Sequence, residues 1–229
     1  ILVGVCKEPG NAPQLLKYGY KATLLLQTDY KQTNTRFQEL YVQGKLSAFD
    51  MVFGQREEYL GCQDSVLSCG GILFSKNARP MPKLTAGIEH FTPLPYSFGL
   101  LEVRGAIAHG WFTDNTYMKG VYLHHLYGYL RVGGKLPIHV SYGIDHVAQW
   151  GGYNAEQGRQ PGSFGDFIRI IQGKQGGSNA LNTDKINALG NHIISQSLKV
   201  ESRLGAVHLS AYWQNISEDG PIELIGTTM

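Results

Sequence analysis

Leu40-Tyr41-Val42-Gln43-Gly44-Lys45-Leu46-Ser47-Ala48 alternates without a break: Leu40, Val42, Leu46 and Ala48 share one face with Gly44, and Tyr41, Gln43, Lys45 and Ser47 take the other. A side-chain period of two belongs to an extended strand, whose successive Cβ atoms point to opposite faces. The pattern returns on both sides of this stretch. Tyr20, Ala22, Leu24 and Leu26 oppose Lys21, Thr23, Gln27 and Asp29, with Leu25 the exception. Leu84, Ala86 and Ile88 oppose Lys83, Thr85 and Glu89, and Leu101, Val103 and Ile107 oppose Glu102 and Arg104. Ile138, Val140, Tyr142 and Ile144 oppose His139, Ser141 and Asp145, and Val207, Leu209, Ala211 and Trp213 oppose His208, Ser210, Tyr212 and Gln214. With weaker runs around Met51, Leu130 and Leu198, the chain reads as about nine strands and as all-β, mostly antiparallel.

One segment departs from that period. Phe164, Phe167, Ile168 and Ile171 stand at helical spacing, and Ser163 with Asp166 three residues later makes an Asp-bearing capping box. A helix of about two turns is expected there, inside the longest strand-free stretch, residues 151–187. A loop of that length is usually functional, and in a barrel it can fold back into the lumen.

The 229 residues are 42% hydrophobic and 17% charged, too apolar for disorder. No stretch reaches the ~18 to 20 unbroken apolar residues of a spanning helix, because Lys21, Arg104, Arg131 and Asp145 interrupt the best candidates. Twenty basic and 18 acidic residues, net +2, form no concentrated basic face, so nucleic acid is not expected as a partner. Cys6, Cys62 and Cys69 read either as unrelated thiols or as a free thiol plus a Cys62–Cys69 bridge, and their spacing does not suit zinc. The chain begins at Ile1 and ends at Met229 just after a strand-like segment, so the single domain over 1–229 is expected to be incomplete at the C-terminus, with incompleteness at the N-terminus left open.

Alternation alone leaves open which face meets water. A soluble barrel turns its apolar face inward, whereas an outer-membrane barrel turns it outward to lipid and keeps a polar lumen. Strand number and aromatics near the strand ends favour the membrane barrel: Tyr20 and Tyr30, Phe49 and Phe53, Trp111 and Phe112, Tyr142 and Trp150, and Tyr212 and Trp213 resemble interfacial girdles. The face assignment that follows puts Lys21, Gln43, Lys45, Glu102, Arg104, His139 and Asp145 in the lumen. Leu24, Val42, Leu46, Val103, Ile107, Val140 and Leu209 then meet lipid.

The most distinctive local string is Gly70-Gly71-Ile72-Leu73-Phe74-Ser75-Lys76-Asn77-Ala78-Arg79-Pro80-Met81-Pro82. It reads either as an extended lead-in to a strand set by Pro80 and Pro82, or as a rigid mount for Arg79 pointing into the lumen toward a carboxylate or an anionic sugar. Glu102 and Asp166 are the carboxylates expected to match it. Preceded by Gly54-Gln55-Arg56, this string resembles the capsule-assembly Wzi family of outer-membrane proteins. The likeness continues through Val103-Arg104-Gly105, His109-Gly110-Trp111-Phe112-Thr113-Asp114, Leu130-Arg131-Val132-Gly133 and Gln149-Trp150-Gly151-Gly152. It runs on through Phe164-Gly165-Asp166-Phe167, Gly176-Gly177-Ser178-Asn179, Gly190-Asn191-His192, Tyr212-Trp213-Gln214 and Glu218-Asp219-Gly220, in a version most similar to those of the Bacteroidetes.

The resemblance implies a large antiparallel transmembrane β-barrel in the outer membrane of a Gram-negative bacterium, with a short helix in a loop. It implies a non-enzymatic lectin that binds capsular or other surface polysaccharide, sits in outer-membrane lipid, and meets other outer-membrane proteins. Asn77, Arg79, Arg104, Trp111, Asp114, Trp150, Asp166, Arg169, Asn191 and His192 are the candidates to line the lumen or bind polysaccharide. Tyr59-Leu60-Gly61 stands where relatives carry a Trp-rich turn, so no sugar-stacking role is carried over to it. No nucleophile motif or metal-binding spacing occurs, and no cofactor or metal is expected. His124 and His125 are adjacent and should face opposite ways on a strand. The competing function is a porin-like channel for small solutes. Residues 151–187, folded inward as a plug with Phe164, Phe167, Ile168 and Ile171 on the wall and Asp166 and Arg169 toward sugar, would favour binding over conduction.

Overall fold

The computed structural model describes residues 1–10, 15–28 and 33–218. Asp29, Tyr30, Asp219 and Gly220 lie outside the described residues. In chain order the elements are β1 (Leu2–Lys7), β2 (Leu16–Thr28), β3 (Thr33–Leu46), β4 (Phe49–Gln55), β5 (Pro82–Pro93), β6 (Leu101–Trp111) and β7 (Met118–Lys119). They continue with β8 (Tyr122–Val132), β9 (Ile138–Trp150), β10 (Tyr153–Asn154), β11 (Gly158–Arg159), α1 (Phe164–Ile171), α2 (Asn182–Ile186), β12 (Asn191–Leu204) and β13 (Val207–Glu218). Ten of the strands form one antiparallel meander ordered β1-β2-β3-β4-β5-β6-β8-β9-β12-β13, and the short β11-β10-β7 make a separate ribbon. Of the ten strands in the meander, the one that the sequence pattern does not disclose is β1, whose Leu2-Val3-Gly4-Val5-Cys6-Lys7 lacks alternation and which pairs with β2 from Leu2 against Leu25 to Lys7 against Tyr20.

Register makes two faces of opposite character. One row of cross-strand neighbours runs Lys45, Asp50, Gly87, Ala106, Tyr127, Asp145, Ser195. The adjacent row, on the other face, runs Gly44, Met51, Ala86, Ile107, Leu126, His146, Ile194. All seven expected lumen residues lie on the first face and all seven expected lipid residues on the second. The burial pattern inverts that of a water-soluble sheet. Glu39, Lys83, Thr85, Ser141, Asp145, Ser195 and Ser197 are buried on the polar face, while Leu40, Val42, Met51, Phe53, Leu84, Leu130, Val140 and Leu209 stand bare on the apolar one. An apolar band this broad on an exposed surface marks a lipid or protein contact. Tyr20, Phe49, Phe53, Trp111 and Trp213 belong to it, but Trp150 is buried and Tyr212 lies on the polar face.

Connections differ sharply at the two ends of the strands. One end carries the tight turns at residues 47–48, 94–100, 133–137 and 205–206, and the other carries the long segments 56–81, 112–121 and 151–190. Gly54, at φ +127°, lets the chain leave β4 toward the polar face; a Cβ there would sit 2.1 Å from the Leu40 carbonyl oxygen. Residues 56–81 then double back over the polar face, where Leu60 and Cys62 pack on Ala106, Tyr127 and Tyr129. Gly143 makes room for this layer, since a Cβ would meet the Tyr129 ring at 2.0 Å.

The segment 151–190 goes the other way. Phe167 and Ile170 of α1 pack with Tyr122, Ala148, Trp150, Ala180 and Leu189, on the apolar side of the sheet. The segment expected to plug the lumen therefore does not enter it, because the stripe buried by α1 needs apolar partners and the polar face has few to offer. That stripe is centred on Phe167 and the fully buried Ile170, whereas Phe164 is 77% exposed, contrary to the expected wall contact.

This arrangement predicts an asymmetric response to charge on β3. Val42→Lys places an ammonium on the bare apolar face and should cost about 2–4 kcal/mol near the bilayer midplane. Gln43→Lys, one residue on, should cost little. Equilibrium urea unfolding in liposomes measures both, and equal costs would contradict the face assignment.

Candidate functional site

The polar face is organised by ion pairs closed over by residues 56–81. Arg56 Nη2 donates to Glu89 Oε1 at 2.5 Å and lies 3.6 Å from Glu58 Oε1, while Lys83 pairs with the other oxygen of Glu58. Glu57 N–H donates to Glu39 Oε1 at 3.2 Å, and Glu39 also pairs with Lys21. The carboxylates around Arg56 favour its charged form and hold its pKa above the usual value, against the effect of burial. Farther along, Arg131 Nε donates to Glu102 Oε2 at 2.7 Å and the Arg131 guanidinium lies 4.2 Å from the Phe91 ring centre. Asp145 accepts from the Tyr129 hydroxyl and approaches His125 Nε2 at 3.2 Å, beneath Phe74, whose ring lies 4.8 Å from that of His125.

His124 points the other way, as expected for its neighbour on a strand: its ring approaches His146 at 5.4 Å and Phe167 at 5.8 Å. His146 Nε2 and His192 Nδ1 are 2.7 Å apart, and the second nitrogen of His192 lies 2.8 Å from the Leu189 carbonyl oxygen. These groups sit under the 151–190 segment. Beside them an apolar groove of about 1030 Å³ separates Leu126, Leu130, Ile144 and Ile194 of the sheet from Ile171 and Ile186.

At the long-connection end, above α1, a second cleft of about 610 Å³ is more polar than this groove. The ribbon forms one wall. Tyr153 is the cross-strand neighbour of Lys119 on one side and Arg159 on the other, so register stands the three side chains on one face. Asn154 Oδ1 accepts from the N–H groups of Glu156 and Gln157 and so shapes the turn between β10 and β11. Gln160 N–H donates to the Gly152 carbonyl oxygen at 2.9 Å, tying that hairpin to the end of β9. Tyr122, Gln160 and Asn179 also line it, with Ser163 and Asp166 at the start of α1.

The ten residues expected to line the lumen or bind sugar scatter. Arg104 is on the polar face, its guanidinium 5.5 and 5.2 Å from the ring centres of Tyr127 and Tyr129. Asn77 and Arg79 are exposed in the segment over that face. Arg79 does not pair with Glu102 or Asp166: Glu102 is held by Arg131, and Asp166 Oδ2 accepts from Ser163 N–H at 3.0 Å and Ser163 Oγ at 2.7 Å. Asp166 is thus the capping-box acid of α1, where it complements the helix dipole. Arg169 Nη1 donates to the Gln175 carbonyl oxygen at 3.2 Å and fastens the helix to the turn after it.

Trp150 and His192 are buried on the apolar side and Trp111 stands on it half-exposed, so none of the three lines the lumen. Asp114 caps its own loop, accepting from Thr116 N–H and Oγ, which holds its carboxyl below the usual range. Asn191 is exposed at the start of β12. The sequence reading missed Arg56, Glu58, Lys83 and Glu89, and missed Lys119, Tyr153 and Arg159. Only Asn154 with Gly158 offered a signal, as the turn residues of a short hairpin.

Cys6, Cys62 and Cys69 are all free thiols, and Cys62 is buried under the polar-face layer, which pushes its thiol up to about 11. A thiol reacts as its thiolate, so a water-soluble maleimide at pH 7.5 should modify exposed Cys69 and spare Cys62 until the protein is denatured. Rapid labelling of Cys62 in the folded protein would show that residues 56–81 do not cover the polar face.

Neither a curated protein nor a solved structure matches the chain. A family model does, the one described as capsule assembly protein Wzi, over residues 13–225. That match covers nearly the whole chain and joins an antiparallel sheet whose apolar face is bare and whose polar face is covered. The chain belongs to the capsule assembly protein Wzi family, whose members serve in the outer membrane of Gram-negative bacteria.

Proposed function

We propose that this protein binds capsular or related surface polysaccharide and helps hold it at the cell surface, acting as a binding protein and not as an enzyme. The observation that carries this reading is the covering of the polar face by residues 56–81, fastened by Arg56, Glu58, Lys83 and Glu89. A porin needs an open, hydrated polar face, and here that face is filled by the protein's own chain. In outer-membrane barrels the short turns are periplasmic and the long loops extracellular. The same rule turns the segments 56–81, 112–121 and 151–190 outward, toward the capsule.

Two further features fit binding better than catalysis. The polar cleft above α1 lies at that outward end and combines tyrosine rings with amide and cationic donors, the inventory for holding sugar hydroxyls. The His125–Asp145 pair, which in an open site would serve as an acid–base couple, is shut under Phe74, and His125 is 1% exposed. The ten site candidates then divide. Asn77, Arg79 and Asn191 remain as outward-end contacts and Arg104 as a lumen residue, Trp150, Asp166, Arg169 and His192 hold the 151–190 segment in place, Asp114 caps its own loop and Trp111 stands on the apolar face.

The test joins two measurements on the complete protein. Loss of the gene should release polysaccharide from the cell surface into the medium, and the purified protein in planar bilayers should conduct poorly until residues 59–78 are replaced by a short Gly-Ser linker. Normal capsule retention in the deletion strain, together with stable conductance by the unaltered protein, would overturn the reading in favour of a channel.

A further inference from the structure

The ribbon wall of the polar cleft has a charge pattern that a neutral sugar does not require. Lys119, Tyr153 and Arg159 are adjacent across three strands, all are exposed, and all line the same cleft. Tyr153, half-exposed, lies between the two cations. Among the described residues neither Lys119 nor Arg159 forms an ion pair or a side-chain hydrogen bond. The carboxylate that shares the cleft, Asp166, is turned to Ser163, from whose N–H and hydroxyl it accepts. The other amide on this wall, Gln160, donates from Nε2 to the Gly158 carbonyl oxygen at 3.3 Å. The cleft therefore presents two cations without an ion-pair partner about one aromatic ring, against the single Asp166 carboxylate held by Ser163, in a volume of about 610 Å³, inside the roughly 300–1,000 Å³ range of small-molecule clefts.

From this juxtaposition we infer that the cleft between the β7-β10-β11 ribbon and α1 binds a carboxylate-bearing sugar residue of an acidic surface polysaccharide. The inference rests on the polysaccharide-binding reading and specifies its site and ligand chemistry. Arg159 takes the carboxylate through its fork of N–H donors, and Lys119 supplies the second charge from across the ring. Tyr153 lies against the apolar face of the pyranose and offers its hydroxyl to a ring substituent, as amphipathic aromatics do at binding surfaces. Tyr122, Gln160 and Asn179 are within the same lining to bond hydroxyl groups. Two cations in one concave site also focus field, so capture of an acidic polymer should weaken as salt rises.

The test uses the full chain in detergent micelles and surface polysaccharide of the source bacterium, either native or with its carboxyl groups reduced to alcohols. Carboxyl reduction should weaken binding at least tenfold. Lys119→Gln with Arg159→Gln should weaken binding of the native polymer by a similar factor and leave binding of the reduced polymer unchanged, while Tyr153→Ala should weaken both. These positions are exposed, and retained heat-modifiable migration on gels checks that the variants fold. Equal binding of native and reduced polymer overturns the inference whatever the variants do, as does undiminished binding of native polymer by the Lys119→Gln, Arg159→Gln protein; the polysaccharide-binding reading survives either result. Absence of binding to both polymers by the unaltered protein overturns both readings.

Discussion

Charged side chains on strands that cross hydrocarbon have one place to go, the face turned away from lipid, and the backbone hydrogen bonds must all be met by neighbouring strands. That constraint organises this molecule. Among the described residues the meander satisfies the backbone of its eight inner strands strand to strand, and its register collects Lys45, Asp50, Glu102, Arg104, Asp145 and Lys199 on one face. A slip of one residue in any strand would carry its charges to the lipid side. The bulge between Thr23 and Leu24 shows the same constraint at work: it takes up one residue of β3 and keeps Phe37 on the apolar face with Leu24 while Glu39 stays on the polar face.

Once the faces are set, the long connections follow from what each can bury. Residues 56–81 bring charges, Arg56 and Glu58, together with a modest apolar edge of Leu60, Cys62 and Phe74, and they settle on the polar face among Lys83, Glu89, Tyr127 and Tyr129. Residues 151–190 bring an amphipathic helix with a firm capping box, and they settle where Tyr122, Ala148 and Trp150 can cover Phe167 and Ile170. The two layers lie on opposite sides of the sheet. Between them His124 and His125, consecutive in sequence, are buried in unrelated surroundings.

The sheet was legible because its signal is local: period two survives in every long strand, and the face of all fourteen residues assigned from it agrees with the register. The helix was legible for the same reason, Ser163 and Asp166 lying three residues apart. What the sequence could not disclose is nonlocal. Arg56 and Glu89 are 33 residues apart, and nothing in either neighbourhood names the other. Arg79, set off by two prolines, meets neither carboxylate expected for it, because Glu102 is held by Arg131 and Asp166 by the Ser163 cap that the sequence already signals. The direction taken by residues 151–190 was misread because a long polar loop suggests a lumen, while the few apolar residues of α1 decide where it packs. Lys119 and Arg159 come together only through Tyr153, in strands of two residues each, too short to leave a periodic trace.

The claim on which the account stands is that the bare apolar face meets lipid and the covered polar face does not. Nitroxide labels placed singly at Val42, Val140 and Leu209, and at their neighbours Gln43, His139 and Ser210, test it in reconstituted liposomes through collision with oxygen, which partitions into lipid, and with a water-soluble nickel chelate. The account predicts high oxygen and low nickel accessibility for the first three positions and not for the second three. High nickel accessibility at Val42, Val140 and Leu209 would contradict it.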